Sequence, residues 1–272
     1  PLWLKIQKEE IQMRNLKRAL SLALAAIMLI GMMVVSASAV SYNDLTDKDQ
    51  IVNKDAVSML VSLGIIEGKP DGSYGPTENV DRAQMAKMLS VIMNKGVDNS
   101  ALYQSVNSGL TDITSHWAKG HINYCYTTGI IAGRGTGTFD PSATVTALEA
   151  AKMLLVAVGY DPAIEGFEGA DWAINVSVRA DEQGIFEGFT KDLSAPLNRD
   201  DAALLIYNAL DVEMIQSYTT NNYPIVYSDH RTILSDKYGV IKVEGVVTAN
   251  EWAILDDATD TALQEGKTRI YN

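Results

Sequence analysis

The sequence has one cysteine, Cys125, among 272 residues. A lone thiol excludes an intramolecular disulfide framework, so stability must come from packing or from partners. Cys125 lies in a helix-like segment and reads as a small core residue. Histidine is scarce too: His116, His121 and His230 show no metal-ligand spacing such as H-E-x-x-H, and no G-x-S-x-G nucleophile elbow is present. "GRGTG" at 133–137 imitates a phosphate loop only in its letters, because "GKPDG" occupies the corresponding place one repeat earlier. Asp44, Asp47 and Asp49 lack the glycine and terminal glutamate of a calcium loop. No catalytic residue, metal or cofactor is therefore expected. Positive charge is also in deficit, with 22 Lys and Arg against 34 Asp and Glu. An excess of negative charge repels nucleic acid and anionic membranes, so binding to any anionic partner must rest on a few local cations.

What is plentiful is apolar surface, 47% of residues, enough for a substantial core. Part of it belongs to targeting. Arg14, Lys17 and Arg18 precede an uncharged run from Ala19 to Val35 and a small-residue site at 37–39, the pattern of a secretory signal peptide over 13–39. Residues 1–12 fit no signal peptide, and Met13 is the expected start. The codons for Lys8-Glu9-Glu10 can form a purine-rich run of the ribosome-binding type, so 1–12 reads as untranslated leader. Cleavage after Ala39, to which an uncleaved membrane anchor is the alternative, removes five Lys and Arg and two Asp and Glu, leaving a mature chain near −15.

The rest repeats itself. "GIIEGKPDGSYGPTENVDRAQMAKML" at 64–89 returns 65 residues later as "GIIAGRGTGTFDPSATVTALEAAKML", and Gly184-Ile185-Phe186-Glu187-Gly188 begins a third copy. Matching Pro196 to Pro76 and Pro141 leaves the third unit three residues short between its proline and the next helix. Self-similarity at a fixed period marks units that cannot bury their apolar faces alone. Each unit reads as helix, tight loop, helix. Gly129 stands where a left-handed C-terminal residue is expected, and the pairs Ile65-Ile66, Ile130-Ile131 and Ile185-Phe186 suggest a strand-like step. The second helices open with the capping box Thr146-x-x-Glu149 and its variants Asp81-x-x-Gln84 and Asn198-x-x-Asp201. Behind them run matching apolar stripes: Met85/Met88/Leu89/Ile92, Ala150/Met153/Leu154/Ala157 and Ala202/Leu205/Ile206/Ala209.

Asp112, Trp117-Ala118, Gly129 to Gly133, Phe139, Pro141, Val145-Thr146 and Glu149 together resemble the S-layer homology module. The resemblance implies a mainly α fold in which three helix-loop-helix repeats, at 41–95, 108–160 and 166–212, form a pseudo-trimeric helical domain with grooves between its lobes. It further implies non-covalent docking to secondary cell-wall polysaccharide of a Gram-positive-type wall, often through a pyruvate ketal held by the arginine of a Thr-Arg-Ala-Glu motif. Carried over by position, Arg82 and Arg199 fill that place, and a planar guanidinium suits a carboxylate. Asp81, Asp112, Thr146 and Glu149 complete the motif's polar positions. Trp117 and Trp172 are either sugar-stacking faces or core anchors.

Two departures stand out: Ala147 replaces the arginine in the second unit, whose groove should be weak, and Val52 replaces tryptophan in the first, so that no groove keeps every feature. Restoring Arg at 147 is then expected to add a site. From Thr219 to Asn272 β-branched and polar residues alternate, which reads as the start of a truncated β-rich domain. The expected protein is a secreted, non-catalytic wall anchor of a surface protein, possessing no affinity for nucleic acid and none for membrane once the signal is cleaved. A wall tether for a polysaccharide-degrading enzyme and a self-assembling lattice component are its alternatives.

Overall fold

A computed structural model describes residues 41–243, 245–250, 263 and 267–271. The leader and signal-peptide readings lie outside these residues.

Six helices carry the repeats: α1 (Lys54–Ser62), α2 (Arg82–Met93), α3 (Lys119–Thr127), α4 (Ala147–Val158), α5 (Trp172–Glu182) and α6 (Arg199–Ala209). They are followed by β1 (Ile215–Tyr218), β2 (Pro224–Val226), α7 (Ile233–Tyr238), β3 (Val246–Asn250) and β4 (Thr268–Tyr271). The chain is mainly helical.

Local signals explain the helix ends. At α2 the Asp81 carboxylate accepts the Gln84 N–H at 2.7 Å while Gln84 Oε1 accepts the Asp81 N–H at 3.0 Å. Thr146 and Glu149 do the same for α4, at 3.2 and 3.1 Å. The third variant is one-sided: Asn198 accepts the Asp201 N–H at 2.8 Å, but the Asp201 carboxylate is paired with Lys191 instead. Each first helix closes on a glycine at positive φ, Gly64 (70°), Gly129 (79°) or Gly184 (70°). The isoleucine pairs that follow are not strands. The N–H groups of Ile130 and Ile131 both donate to Cys125 O, at 2.8 and 3.2 Å, and those of Ile65 and Ile66 to Leu60 O. The helix's unpaired carbonyls take these donors, so the segment winds up as a C-cap rather than extending.

Tertiary packing runs between repeats. The second helix of each unit lies against the first helix of the next: α2 on α3, α4 on α5 and α6 on α1. The short segments before α2, α4 and α6 are joined in a ring: Val80 N–H donates to Leu197 O (2.8 Å), Leu197 N–H to Val145 O (2.8 Å), and Val145 N–H to Val80 O (2.9 Å). This ring corrects the register of the third unit. Ala83, Leu148 and Asp200 donate their N–H groups to the carbonyls of Pro141, Leu193 and Pro76 respectively. Leu193, not Pro196, thus stands where the other units have proline, and the missing three residues fall between Gly188 and Leu193. Tertiary hydrogen bonding sets the register, and a matching letter does not.

The apolar stripes form one core in which Met85, Leu89, Leu154, Leu205 and Ile206 are buried. Cys125 belongs to it: its thiol donates to Ala86 O at 3.4 Å, and burial pushes its pKa up. The core continues past 212 through Ile215, Ile233 and Leu234. The β texture expected from Thr219 is broken by α7, which has a box of its own between Thr232 and Ser235 and a left-handed Gly239 at its end. β1 is anchored to α5 and the turn before it. The Glu165 carboxylate, nearly buried, accepts Arg179 Nε and Nη2 at 3.0 and 2.9 Å and the Tyr218 hydroxyl at 3.0 Å. Replacing Glu165 by Ala strands two half-buried donors. It is expected to cost about 2–3 kcal/mol in urea unfolding, the scale of lost charged hydrogen bonds.

Candidate functional site

Two clefts of the same plan open between the repeats. One, of about 510 Å³, is lined by Ile130 to Gly135, by Glu149, Lys152 and Met153 of α4, by Arg82 at the start of α2 and by Trp172 at the start of α5. The other, of about 280 Å³, is lined by Ile65 to Pro70, by Gln84, Lys87 and Met88 of α2, by Arg199 at the start of α6 and by Trp117. Each cleft takes its loop and helix from one unit, its arginine from another and its tryptophan from a third.

The arginines hold the clefts together. Arg82 is buried, and its Nε and Nη2 donate to the carbonyls of Phe139 (2.8 Å) and Ala132 (2.9 Å), with its guanidinium 4.4 Å from the Phe139 ring centre. Arg199 repeats this on the first unit, donating to Tyr74 O (2.8 Å) and Glu67 O (3.2 Å) and lying 4.7 Å from the Tyr74 ring centre. A guanidinium can fix two carbonyls of a facing loop and still present a charged edge, because its five donors form a planar fork. Burial, and then the Arg134 charge, lower the Arg82 pKa to about 10, so it stays cationic at neutral pH.

Glu149 accepts Arg134 Nη1 at 2.8 Å and lies 3.8 Å from Arg82 Nη1. Lys152 Nζ is 5.7 Å from the centre of the Trp172 ring; burial lowers its pKa against the opposing pull of Glu168. Trp117 is 56% exposed, so it is no core anchor, whereas Trp172 is half-buried. A cleft with an aromatic face, cations and backbone groups is suited to a sugar ring bearing polar or anionic substituents.

Of the eight residues singled out in the sequence, Arg82, Glu149 and Trp172 meet in one cleft, and Arg199 and Trp117 in the other. Asp81 and Thr146 are spent on capping α2 and α4. Asp112 accepts the N–H groups of Phe139 (2.9 Å) and Asp140 (2.7 Å), closing the loop of its own unit. Burial opposes ionisation of Asp112, but these backbone donors outweigh it and hold its pKa below the ordinary value. None of these three lines either cleft. Lys87 and Lys152 were overlooked, although the "AKML" shared by 86–89 and 151–154 marks them.

The expectation that no cleft keeps every feature is overturned. Because the units interleave, Ala147 and Val52 both fall on the third junction, with Leu204 at the place of Lys87 and Lys152. The two other clefts each retain arginine, tryptophan and lysine. The third junction has also replaced its arginine by other means: Asn208 Nδ2 donates to Glu187 O (2.9 Å), the counterpart of the Ala132 and Glu67 carbonyls. Ala147 is fully buried. Arginine at 147 would therefore meet a carbonyl that Asn208 already occupies, and a new site is no longer expected.

The family model of the S-layer homology domain matches residues 41–86 and 109–151. The chain carries S-layer homology domains. A cell surface protein of Thermoanaerobacter kivui is 27% identical over 96% of this chain and 31% of its own length. An S-layer protein of Bacillus licheniformis is 33% identical over 42% of this chain and 12% of its own, and the exoglucanase XynX of Acetivibrio thermocellus is 28% identical over 65% and 17%. The chain thus spans less than a third of the length of these relatives. S-layer homology domains and such relatives make it a secreted surface protein of the cell wall. Among the described residues, no helix is long and apolar enough to cross a membrane.

Proposed function

We propose that the S-layer homology repeats, including a third at 166–212, form a pseudo-trimeric unit that anchors its protein non-covalently to secondary cell-wall polysaccharide, pyruvylated at the contacted sugar. The carrying observation is the pair of like clefts, each with an arginine fork, a tryptophan and a helical lysine. The closed ring of hydrogen bonds through Val80, Val145 and Leu197 supports the threefold arrangement, since any repeat alone leaves its half of these bonds unmade. The repeats are a binding unit and carry no chemistry of their own. Self-assembly into a surface layer belongs to this reading.

A second reading has the same anchor tethering a polysaccharide-degrading enzyme. It is favoured by the exoglucanase relative and by an amylopullulanase of Thermoanaerobacterium thermosulfurigenes, 30% identical over 63% of this chain.

The test is co-sedimentation of the full chain with purified wall sacculi, before and after the acid treatment that strips secondary polymers. Pelleting should be lost on stripping; pelleting that persists, or is absent from intact sacculi, overturns the reading. Arg199→Ala should weaken binding by about 1.5–3 kcal/mol, the loss of a charge-assisted contact, or roughly 10- to 150-fold in Kd.

A further inference from the structure

A polar pair is buried behind the Arg199 cleft, and an apolar pair behind the Arg82 cleft. His121 of α3 is only 4% exposed; its Nδ1 shares a hydrogen bond with Ser90 Oγ of α2 at 2.6 Å, and its Nε2 lies 3.6 Å from Asp98 Oδ2 in the segment joining the two helices. Ser90 is buried too, and its Oγ is also 2.9 Å from Lys87 O, so its one hydrogen can turn to either partner. His121 stands one helical turn past Trp117, with ring centres 6.3 Å apart, and Ser90 one turn past Lys87. Trp117 and Lys87 are both cleft walls. One turn past Trp172 and Lys152, the corresponding walls of the Arg82 cleft, stand Val176 and Leu155, both fully buried. The charged and titratable groups around His121 are Lys87 from α2, paired with Glu67 at 3.2 Å, Asp98 from the joining segment, and His116 and Cys125 from its own stretch. His116 lies across Trp117, with ring centres 5.6 Å apart, and Cys125 is a buried thiol whose pKa is raised. Burial lowers the His121 pKa, while Asp98 pulls it up and Lys87 pushes it down. The ring is therefore neutral at pH 7 and takes up a proton only below its ordinary 6.5.

We infer that His121 is a positioning residue that makes the Arg199 cleft respond to pH: its protonation tightens that cleft on the wall polymer, while the Arg82 cleft, with Val176 and Leu155 in the same places, stays indifferent. The inference rests on the polysaccharide-anchoring reading. The neutral ring suits its surroundings by carrying its hydrogen on Nε2, toward Asp98, and accepting the Ser90 hydroxyl at Nδ1. A protonated ring donates from both nitrogens, so Ser90 must turn its hydrogen to Lys87 O. The charge gained cancels that of Asp98 and stands next to Trp117 and Lys87. An anionic polymer seated on these two walls is drawn by the added charge, which burial keeps from being fully screened. Linkage makes the effect mutual: polymer in the cleft favours the protonated ring, so affinity climbs as the pH falls below 6.5. Tightening has a cost in stability. Because the fold lowers the His121 pKa, the unfolded chain takes up this proton first, so the contribution of the neutral ring is present above about 6.5 and lost as the pH falls through the folded value.

Trp117 and Trp172 report on the two clefts separately, through the indole N–H resonances of the ¹⁵N-labelled full chain. The probe is polysaccharide released from sacculi by muramidase, titrated at about pH 7.5 and about pH 5.5, on either side of the histidine range. The midpoint of the Trp117 response should fall about fivefold at the lower pH, the low end of couplings between sites, and that of Trp172 should stay within about twofold. His121→Val combined with Ser90→Leu copies the buried pair of the Arg82 cleft; it is expected to fold and to lose the pH response of Trp117, although His116 stays in place. Without any substitution, the imidazole resonances of His121 should move their titration midpoint upward when polymer is present, which a ring with a structural role alone does not do. A Trp117 pH response equal to that of Trp172, one that survives the double substitution, or a His121 midpoint unmoved by polymer overturns the inference while the anchoring reading stands. Silence at both indoles overturns the inference as well, and only if co-sedimentation also fails does the anchoring reading fall with it.

Discussion

A chain ended after Val212 is expected to lose its cooperative unfolding transition or to aggregate. The repeats close at α6 in sequence, but their core does not: Ile215, Ile233 and Leu234 are buried in it. Ile215 sits on Gly159 at the end of α4, where an added Cβ would come within 2.7 Å of Ile215 O. Gly159 has φ 113°, so both its backbone and the close approach require glycine. The Leu234 N–H donates to Leu210 O at 2.9 Å, and the Tyr238 hydroxyl to Ile92 O at 3.3 Å. Burying a large aliphatic side chain contributes about 1.5–3 kcal/mol, so three of them supply at most roughly 4–9 kcal/mol. Domains of this kind have only about 5–15 kcal/mol in all. Urea unfolding followed by circular dichroism checks this, and a truncated chain with the midpoint of the full one would show that β1, β2 and α7 are passengers.

Arg82→Ala is expected to cost about 3–5 kcal/mol in the same measurement, the loss seen when one partner of a buried charged network is removed. The substitution leaves the Phe139 and Ala132 carbonyls without their donors and Glu149 with one cation fewer. It also opens a void against the Phe139 ring, which is fully buried. Arg82→Lys should recover little, because a single ammonium cannot span two carbonyls and lie flat over a ring. Arg199→Ala should destabilise less: Arg199 is less buried and its second carbonyl bond is longer, at 3.2 Å. A smaller loss for Arg82→Ala than for Arg199→Ala would contradict the assignment of Arg82 as the tighter clamp.

Much of the helical plan was legible because its signals are local. A capping box needs only four residues, and Thr146 to Glu149 and Asp81 to Gln84 close as read. Gly64, Gly129 and Gly184 end their helices because only a residue without Cβ adopts that φ freely. The stripe of Met85, Leu89 and Ile92 is buried because its period is that of the helix. The isoleucine pairs deceived because two β-branched residues in a row look like a strand, whereas unpaired carbonyls at a helix end dictate where their N–H groups go. Helix α7 was hidden by its shortness, although Thr232 to Ser235 and Gly239 announced both its ends.

By itself the sequence determined the repeats, their helices and the residue types that line the clefts, since these depend on periodicity and on side-chain chemistry. Only the tertiary structure decided which residues share a cleft. The ring through Val80, Val145 and Leu197 interleaves the units, so Arg82 serves the loop of the second repeat, Arg199 that of the first, and Trp117 and Trp172 face helices of repeats not their own. For the same reason Val52 and Ala147, 95 positions apart by their numbers, fall at a single junction and leave the other two clefts whole. Hydrogen bonds and burial between distant segments set that partnership, and no local pattern encodes it.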